Sequence, residues 1–166
     1  MRPTCGRIVV PQVREKKGTA EEQGLGRSRG GFTSKIVLTA ADEDTAIAVD
    51  VVPGQVHEAS QMESMLDATQ TRIPDIQEAV ADKGFDGEPQ RRACRDRNIK
   101  PVIPYKANCT KPRRLNKKAY RTRNMIERLF GKLKEFRRVA TRYEKLKQTF
   151  LAIIQLALGF IRLKRI

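Results

Sequence analysis

Lys35-Ile36-Val37-Leu38-Thr39-Ala40, then Asp42-Glu43-Asp44-Thr45, then Ala46-Ile47-Ala48-Val49-Asp50-Val51-Val52 are two β-branched runs separated by an acidic turn. Branched side chains suit a pleated surface and acidic residues suit turns, so the stretch predicts a hairpin. Asp42 and Asp44 read as turn formers, because an Asp side chain bonds its own backbone two residues on. Downstream the pattern alternates. Pro53-Gly54-Gln55 ends the second strand, and residues 58–71 carry Met62, Met65, Leu66 and Thr69 at helical spacing. Residues 76–81 form a short apolar strand, expected to be buried, that stops at the polar loop Asp82-Lys83-Gly84-Phe85-Asp86-Gly87. Residues 88–98 read as a helix, and 100–104 as a short strand whose prolines favour an edge or a strand end. A hairpin followed by alternating strands and helices predicts an α/β domain on a mixed sheet flanked by helices.

Upstream, residues 1–31 mix Pro3, Pro11, Lys16-Lys17-Gly18 and the run Gly24-Leu25-Gly26-Arg27-Ser28-Arg29-Gly30-Gly31. Only 7–13 reads as a short strand, so 1–31 is expected to be a poorly structured leader. Residues 32–143 form the core. Within it, 105–117 is a basic loop with Lys106, Lys111, Arg113, Arg114 and Lys117, followed by one helix over 118–138. After a Thr141-Arg142-Tyr143 link, residues 144–166 end in a helix that is apolar nearly all round from Phe150 to Ile161. Such a helix is expected to pack centrally on the core or against a partner.

The charge is lopsided. Residues 1–100 carry 15 basic and 16 acidic side chains, whereas 101–166 carry 19 basic and 3 acidic, so the formal +15 lies in the last two fifths. A cationic portion joined to a neutral one predicts a polyanion held on one face, nucleic acid first. A membrane surface fits less well, because the basic residues recur through loop and helix rather than along one side of an amphipathic segment. Cys5, Cys94 and Cys109 have no CxxC spacing and His57 is the single histidine. Neither a zinc site nor a disulfide framework is expected, and a reducing cytoplasm fits. No apolar run is long enough for a bilayer and the N-terminus lacks a signal-peptide shape, so a soluble protein is expected.

Two acids stand where chemistry is possible. On the 118–138 helix Tyr120, Glu127 and Lys134 share one stripe with Arg123 a turn from Glu127, while Ile126, Leu129, Phe130 and Leu133 face a core. On an arbitrary basic helix a Glu-Arg pair is usually a surface pair. Asp82 stands at the carboxyl end of a strand, where open α/β sheets place ligands, although an Asp before Lys-Gly also suits a cap or turn. If the two acids met, they could hold Mg²⁺ or Mn²⁺ through oxygen, with basic side chains on phosphates. A capping or packing role is expected for His57, and packing rather than base stacking for Phe32, Phe85 and Tyr105.

Tyr120, Arg123, Glu127 and Lys134 match residue for residue the Y-x2-R-x3-E-x6-K signature of bacterial insertion-sequence transposases with an Asp-Asp-Glu active site. The likeness extends from Gly26 onward through residues 26–35, Pro53-Gly54-Gln55-Val56-His57, Ala81-Asp82-Lys83-Gly84-Phe85-Asp86, Pro101-Val102-Ile103-Pro104, and 130–138 with 141–145. The chain resembles the insertion-sequence family numbered five. That resemblance implies an RNase H-like fold, Mg²⁺-dependent cutting and joining of DNA at transposon ends, and action as a multimer in the bacterial cytoplasm. It implies Asp82 as the second acid and Glu127 as the third, with Tyr120, Arg123 and Lys134 near DNA. Lys111, Arg113 and Arg114 are the expected phosphate contacts of the basic loop. The departure is at the start, where Arg2-Pro3-Thr4 stands in place of the expected Asp-Ser-Thr and no Asp precedes Asp42. The expectation is a sheet lacking its first strand, a chain truncated at its beginning, and little activity alone. The competing reading is a non-enzymatic basic DNA- or RNA-binding protein.

Overall fold

The computed structural model describes residues 7–9, 19–28, 31–109 and 114–165. One antiparallel sheet contains β1 (Arg7–Val9), β2 (Gly26–Ser28), β3 (Gly31–Ala40) and β4 (Ala46–Pro53), with α1 (Ala20–Gln23) before β2. The hairpin forms as expected. Asp42 Oδ1 accepts the Asp44 N–H at 2.8 Å, the Ala41 N–H donates to the Thr45 carbonyl at 2.9 Å, and the ladder runs from Ala40↔Ala46 to Ser34↔Pro53 with an irregularity at Thr39/Ala40. β3 is the spine of this sheet, since β1 pairs with it over Arg7↔Lys35 to Val9↔Thr33 and β2 over Gly26↔Thr33 to Ser28↔Gly31.

The stretch expected to be loop therefore carries α1 and β2. The signal for α1 is a capping box: the Glu22 N–H donates to Thr19 Oγ1 at 3.3 Å and the Thr19 N–H to Glu22 Oε2 at 2.8 Å. Gly24 then turns the chain at φ 57°, a conformation glycine adopts without strain, and its carbonyl accepts the Ser34 hydroxyl at 2.6 Å.

A second unit follows: a 3-10 turn (Glu58–Gln61), α2 (Met62–Gln70), β5 (Glu78–Val80), a 3-10 turn (Lys83–Phe85), α3 (Glu88–Arg95) and β6 (Lys100–Val102). β5 and β6 pair in parallel, Glu78↔Lys100 to Val80↔Val102. Met62 and Leu66 of α2 share a core with Ala93, Cys94, Ile99 and Ile103, while Met65 of α2 packs under Val37, Ala48 and Val52. α2 thus bridges two sheets where a single mixed sheet is expected. β1, of which three residues are described, stands antiparallel beside β3 in the short-strand stretch expected over 7–13.

The helix expected over 118–138 is three helices: α4 (Lys117–Tyr120), α5 (Arg123–Glu135) and α6 (Arg137–Ala140). At the first break the Thr122 hydroxyl donates to the Ala119 carbonyl at 2.7 Å, the local bonding that makes Thr a poor helix interior. At the second, Phe136 is extended (φ −76°, ψ 107°) and its ring meets Phe160 edge-on at 5.9 Å. α7 (Lys147–Leu163) buries Phe150, Ile154, Ala157, Leu158 and Ile161 against Ile36 and Val51 of the sheet and Leu129, Phe130 and Leu133 of α5. It packs through one face only, for Leu156, Phe160 and Leu163 remain 76, 47 and 66% exposed. Among the described residues no helix is long and apolar enough to cross a membrane.

Arg142, 1% exposed, ties the ends of this arrangement together. Its guanidinium donates to the Glu144 carbonyl (2.9 Å), the Lys145 carbonyl (3.1 Å), the Gln23 carbonyl and Ser34 Oγ, and lies 4.8 Å from the Phe150 ring centroid. Burial pulls its pKa down, and only Glu144 opposes this. Removing the fork leaves several buried acceptors without a donor, each worth about 1–3 kcal/mol. Arg142→Ala is expected to lower the unfolding free energy by about 3 kcal/mol in urea titration, against at most about 0.5 kcal/mol for exposed Arg137→Ala.

Candidate active site

Asp82 stands one residue past β5, after Ala81, and caps the Lys83–Phe85 turn, with Oδ1 accepting the Gly84 N–H at 2.7 Å. The capping role expected for an Asp before Lys-Gly is therefore real, and it fixes the carboxylate at the strand's end. β5 itself is only half-buried at Ala79 and Val80, with Glu78 exposed, rather than buried as expected.

The loop is anchored at its far end by Asp86. Its Oδ1 accepts Nε (3.1 Å) and Nη2 (2.8 Å) of Arg91, and its Oδ2 accepts the Lys106 N–H at 2.5 Å. Arg91, 7% exposed, also donates to the Ile103 carbonyl at 2.8 Å and stacks 3.9 Å from the Tyr105 ring centroid. Burial raises the Asp86 pKa, but the Lys106 amide and the Arg91 guanidinium outweigh it and hold the carboxyl below its ordinary range. Asp86 and Arg91 thus position the Asp82 loop. Sequence spacing gives no sign of this, since the pair joins a loop to a helix five residues on.

On the other side, α4 and α5 bring Tyr120, Arg123 and Glu127 together across the Thr122 break. Arg123 Nη1 lies 2.6 Å from Glu127 Oε1, and its guanidinium carbon 5.8 Å from the Tyr120 ring centroid. Lys134 is exposed in the last turn of α5. The acids of the hairpin turn neutralise other cations: Glu43 pairs with Arg128 at 2.7 Å, Asp44 with Lys132, and Asp42 with Arg165 at 3.0 Å. Arg114, Lys117, Lys118, Arg121 and Lys134 are exposed and make no ion pair among the described residues. Lys111 and Arg113 lie outside the described residues.

The two sides meet at a cleft of about 490 Å³. Its walls are β3 (Val37 to Ala40), α2 (Met62, Met65, Leu66), the end of β5 (Ala79 to Asp82) and the start of α5 (Thr122, Arg123, Met125, Ile126). Asp82 and Arg123 share this cleft, while Glu127 does not line it and its carboxylate is turned to Arg123. Among the described residues no three His, Cys, Asp or Glu side chains converge on a metal-sized site.

The remaining candidates have structural roles. His57 Nδ1 caps the Glu58–Gln61 turn by accepting the Ala59 N–H at 3.3 Å. Phe85 packs on the α2–α3 core, and Tyr105 lies under Arg91. Phe32 alone of the three aromatics is 58% exposed. Burial pushes the Cys94 thiol up to about 11, so it carries no thiolate at neutral pH.

The family model for the transposase DDE domain matches residues 8–160. The chain belongs to the DDE transposase domain family. It is similar, at 28% identity over 80% of this chain and 100% of the relative, to a Brucella ovis protein described as "Putative transposase for insertion sequence element IS6501". It is also similar, at 33% identity over 72% of this chain and 56% of the relative, to the "Putative transposase for insertion sequence element IS402" of Burkholderia cepacia. No solved structure matches the chain. Similarity in this transposase domain begins inside β1, well upstream of Gly26, where the likeness in the motifs starts.

Within the domain, the Asp86 carboxylate titrates at a lower pH folded than unfolded, so its contribution is complete above about pH 4 and disappears as the pH falls through the depressed value. Wild type is therefore expected to exceed Asp86→Asn in unfolding free energy at pH 7, with the gap closing as urea titrations are taken toward pH 2.

Proposed function

We propose that this transposase domain acts on DNA at the ends of an insertion sequence, as a member of the Y-x2-R-x3-E-x6-K group in the family numbered five and with an RNase H-like arrangement of its strands. Asp82 and Glu127 are its acids, and Tyr120, Arg123, Lys134 and the basic loop with Lys111, Arg113 and Arg114 contact DNA. The observation that carries the reading is the shared cleft, which has Asp82 at the end of β5 on one wall and Arg123, the partner of Glu127, on the other.

The donor set suits a hard cation. Mg²⁺ or Mn²⁺ takes oxygen ligands and is commonly held by one or two carboxylates, with water and substrate phosphate completing the shell. Asp82 uses Oδ1 for its cap and has Oδ2 to offer, and Glu127 has one oxygen engaged by Arg123. When bound, such an ion would stabilise charge on a phosphodiester and acidify a water. Among the described residues the set is these two acids, which suit one ion better than a pair, so slow cutting is expected. Arg123, paired with Glu127 and lining the cleft, is a cation able to turn to a phosphate, and the exposed cations of α4 and α5 would hold the backbone of the duplex. The active form is a multimer.

Nicking of supercoiled plasmid carrying the element's own ends tests this. In Mn²⁺ slow nicking is expected, lost in Asp82→Asn and in Glu127→Gln, with salt-sensitive DNA binding kept in both. Binding without nicking under any divalent ion, by wild type as by the variants, would establish the second reading, a basic nucleic-acid-binding protein. For the DNA surface itself, Lys134→Ala is expected to weaken binding to all sequences alike and to reduce the slope of log affinity against log salt by about 1.

A further inference from the structure

We infer that two copies of this chain pair through the outer face of α7, antiparallel about a two-fold axis. The inference names the surface for the multimer of the proposed function, but it stands on α7 itself, and dimerisation is measured without reference to nicking.

α7 buries one face on the sheet and α5, and its opposite face is apolar as well. Leu156, Phe160 and Leu163 stand exposed there, with Ala152 and Gly159 among them. From Gln148 to Ile161 the helix carries no charged residue, in a chain with 34 basic and 19 acidic side chains. A surface helix of a globular domain normally turns charge toward water, so an uncharged, apolar outer face marks an interaction surface.

The spacing selects the occupant. Ala152, Leu156, Gly159 and Leu163 follow one another by four, three and four, the seam of two helices packed along their length. Small and large residues alternate on that seam. When the helix runs antiparallel against itself with Leu156 opposite the partner's Gly159, the same register sets Leu163 opposite the partner's Ala152, and symmetry repeats both contacts. Each leucine then enters the gap left by a small residue. Gly159 has no such use within its own chain, since a Cβ added there meets no atom within 4 Å. Glycine inside a helix is unfavourable relative to alanine, and the close approach of a second helix is what it permits.

Charge fits the antiparallel arrangement and opposes the parallel one. The C-terminal turn is basic, with Arg162 and Lys164 exposed, whereas Lys147 at the other end is paired with Asp50 at 2.8 Å. A parallel pair stacks the two basic ends on each other. The antiparallel pair carries each basic end to the start of the partner helix, where α1 lies with Glu22 exposed. α7 is 17 residues, or about 25 Å, which places the pair near the small end of specific interfaces, with affinity in the micromolar range.

Sedimentation of the full chain tests this: a dimer is expected at about 50 μM, dissociating on dilution below about 1 μM. Leu156→Glu and Gly159→Leu are each expected to weaken the dimer by about tenfold or more, since one puts a charge in the seam and the other fills the gap that receives Leu156. Both positions face away from the core, so melting of the dilute monomer is expected to be unchanged in the first and no lower in the second, which gains helix propensity. Ala152→Cys and Leu163→Cys chains, each with Cys5→Ser and Cys109→Ser, test the direction. Their mixture is expected to form an interchain disulfide about tenfold or more faster than either variant alone, because only the mixture sets the two cysteines opposite each other. A chain that stays monomeric at about 100 μM, or a dimer indifferent to both seam substitutions, overturns the inference. Rapid disulfides within either cysteine variant alone overturn it in favour of a parallel pair, and binding of anionic vesicles by a persistent monomer overturns it in favour of a lipid surface.

Discussion

A ten-residue strand has two edges, and every backbone donor and acceptor along both must find a partner or face water. In this domain that constraint falls on β3. β4 takes one edge from Ser34 to Ala40, while among the described residues β1 and β2 pair with it near its start. The rest of the molecule is arranged around what β3 leaves: α5 and α7 close one face, α2 closes the other, and the parallel pair β5–β6 stands across a cleft. The position of Asp82 follows from this, since the cleft runs between β3 and the end of the strand that Asp82 terminates.

Charge is sorted by the same geometry. The hairpin turn projects three acids toward the helical side, where they engage Arg128, Lys132 and Arg165, so part of the excess positive charge is neutralised within the fold. Lys117 and Lys118 of α4 and Lys134 of α5 are left toward solvent. Net charge alone announces a polyanion partner, and only this internal pairing gives the positive surface a direction. Arg142, like Arg91, has no surface role: it is drawn inside because five donors in a rigid fork match several converging acceptors, a task lysine's single ammonium does not perform.

The candidate site was partly legible. Tyr120, Arg123 and Glu127 come together as their spacing implies, although through two helices with a Thr122 turn rather than one. Asp82 is at its strand end, and the cap that competes with a catalytic reading is also present. Asp86 and Arg91 escaped notice because their pairing depends on how α3 lies against the end of β6, which no periodicity encodes. α1 could have been found from Thr19 and Glu22, a capping box hidden in a glycine-rich stretch. The DDE domain match and the two insertion-sequence relatives are what turn one cleft acid and one paired acid into a functional reading.

By itself the sequence determined what is local or periodic. The hairpin follows from two branched runs and an acidic turn, and the apolar stripe of α5 from residues spaced by three and four. The cap at Asp82 follows from a short polar side chain beside glycine. Tertiary structure decided whatever depends on competition for a shared surface: that the strands divide into two sheets, that α7 buries one face and leaves Leu156 exposed, and that Arg123, the partner of Glu127, lines the cleft. Local chemistry fixes which elements form. Which edges and faces are satisfied is a property of the whole chain, because each partner gained by β3 is denied to another strand.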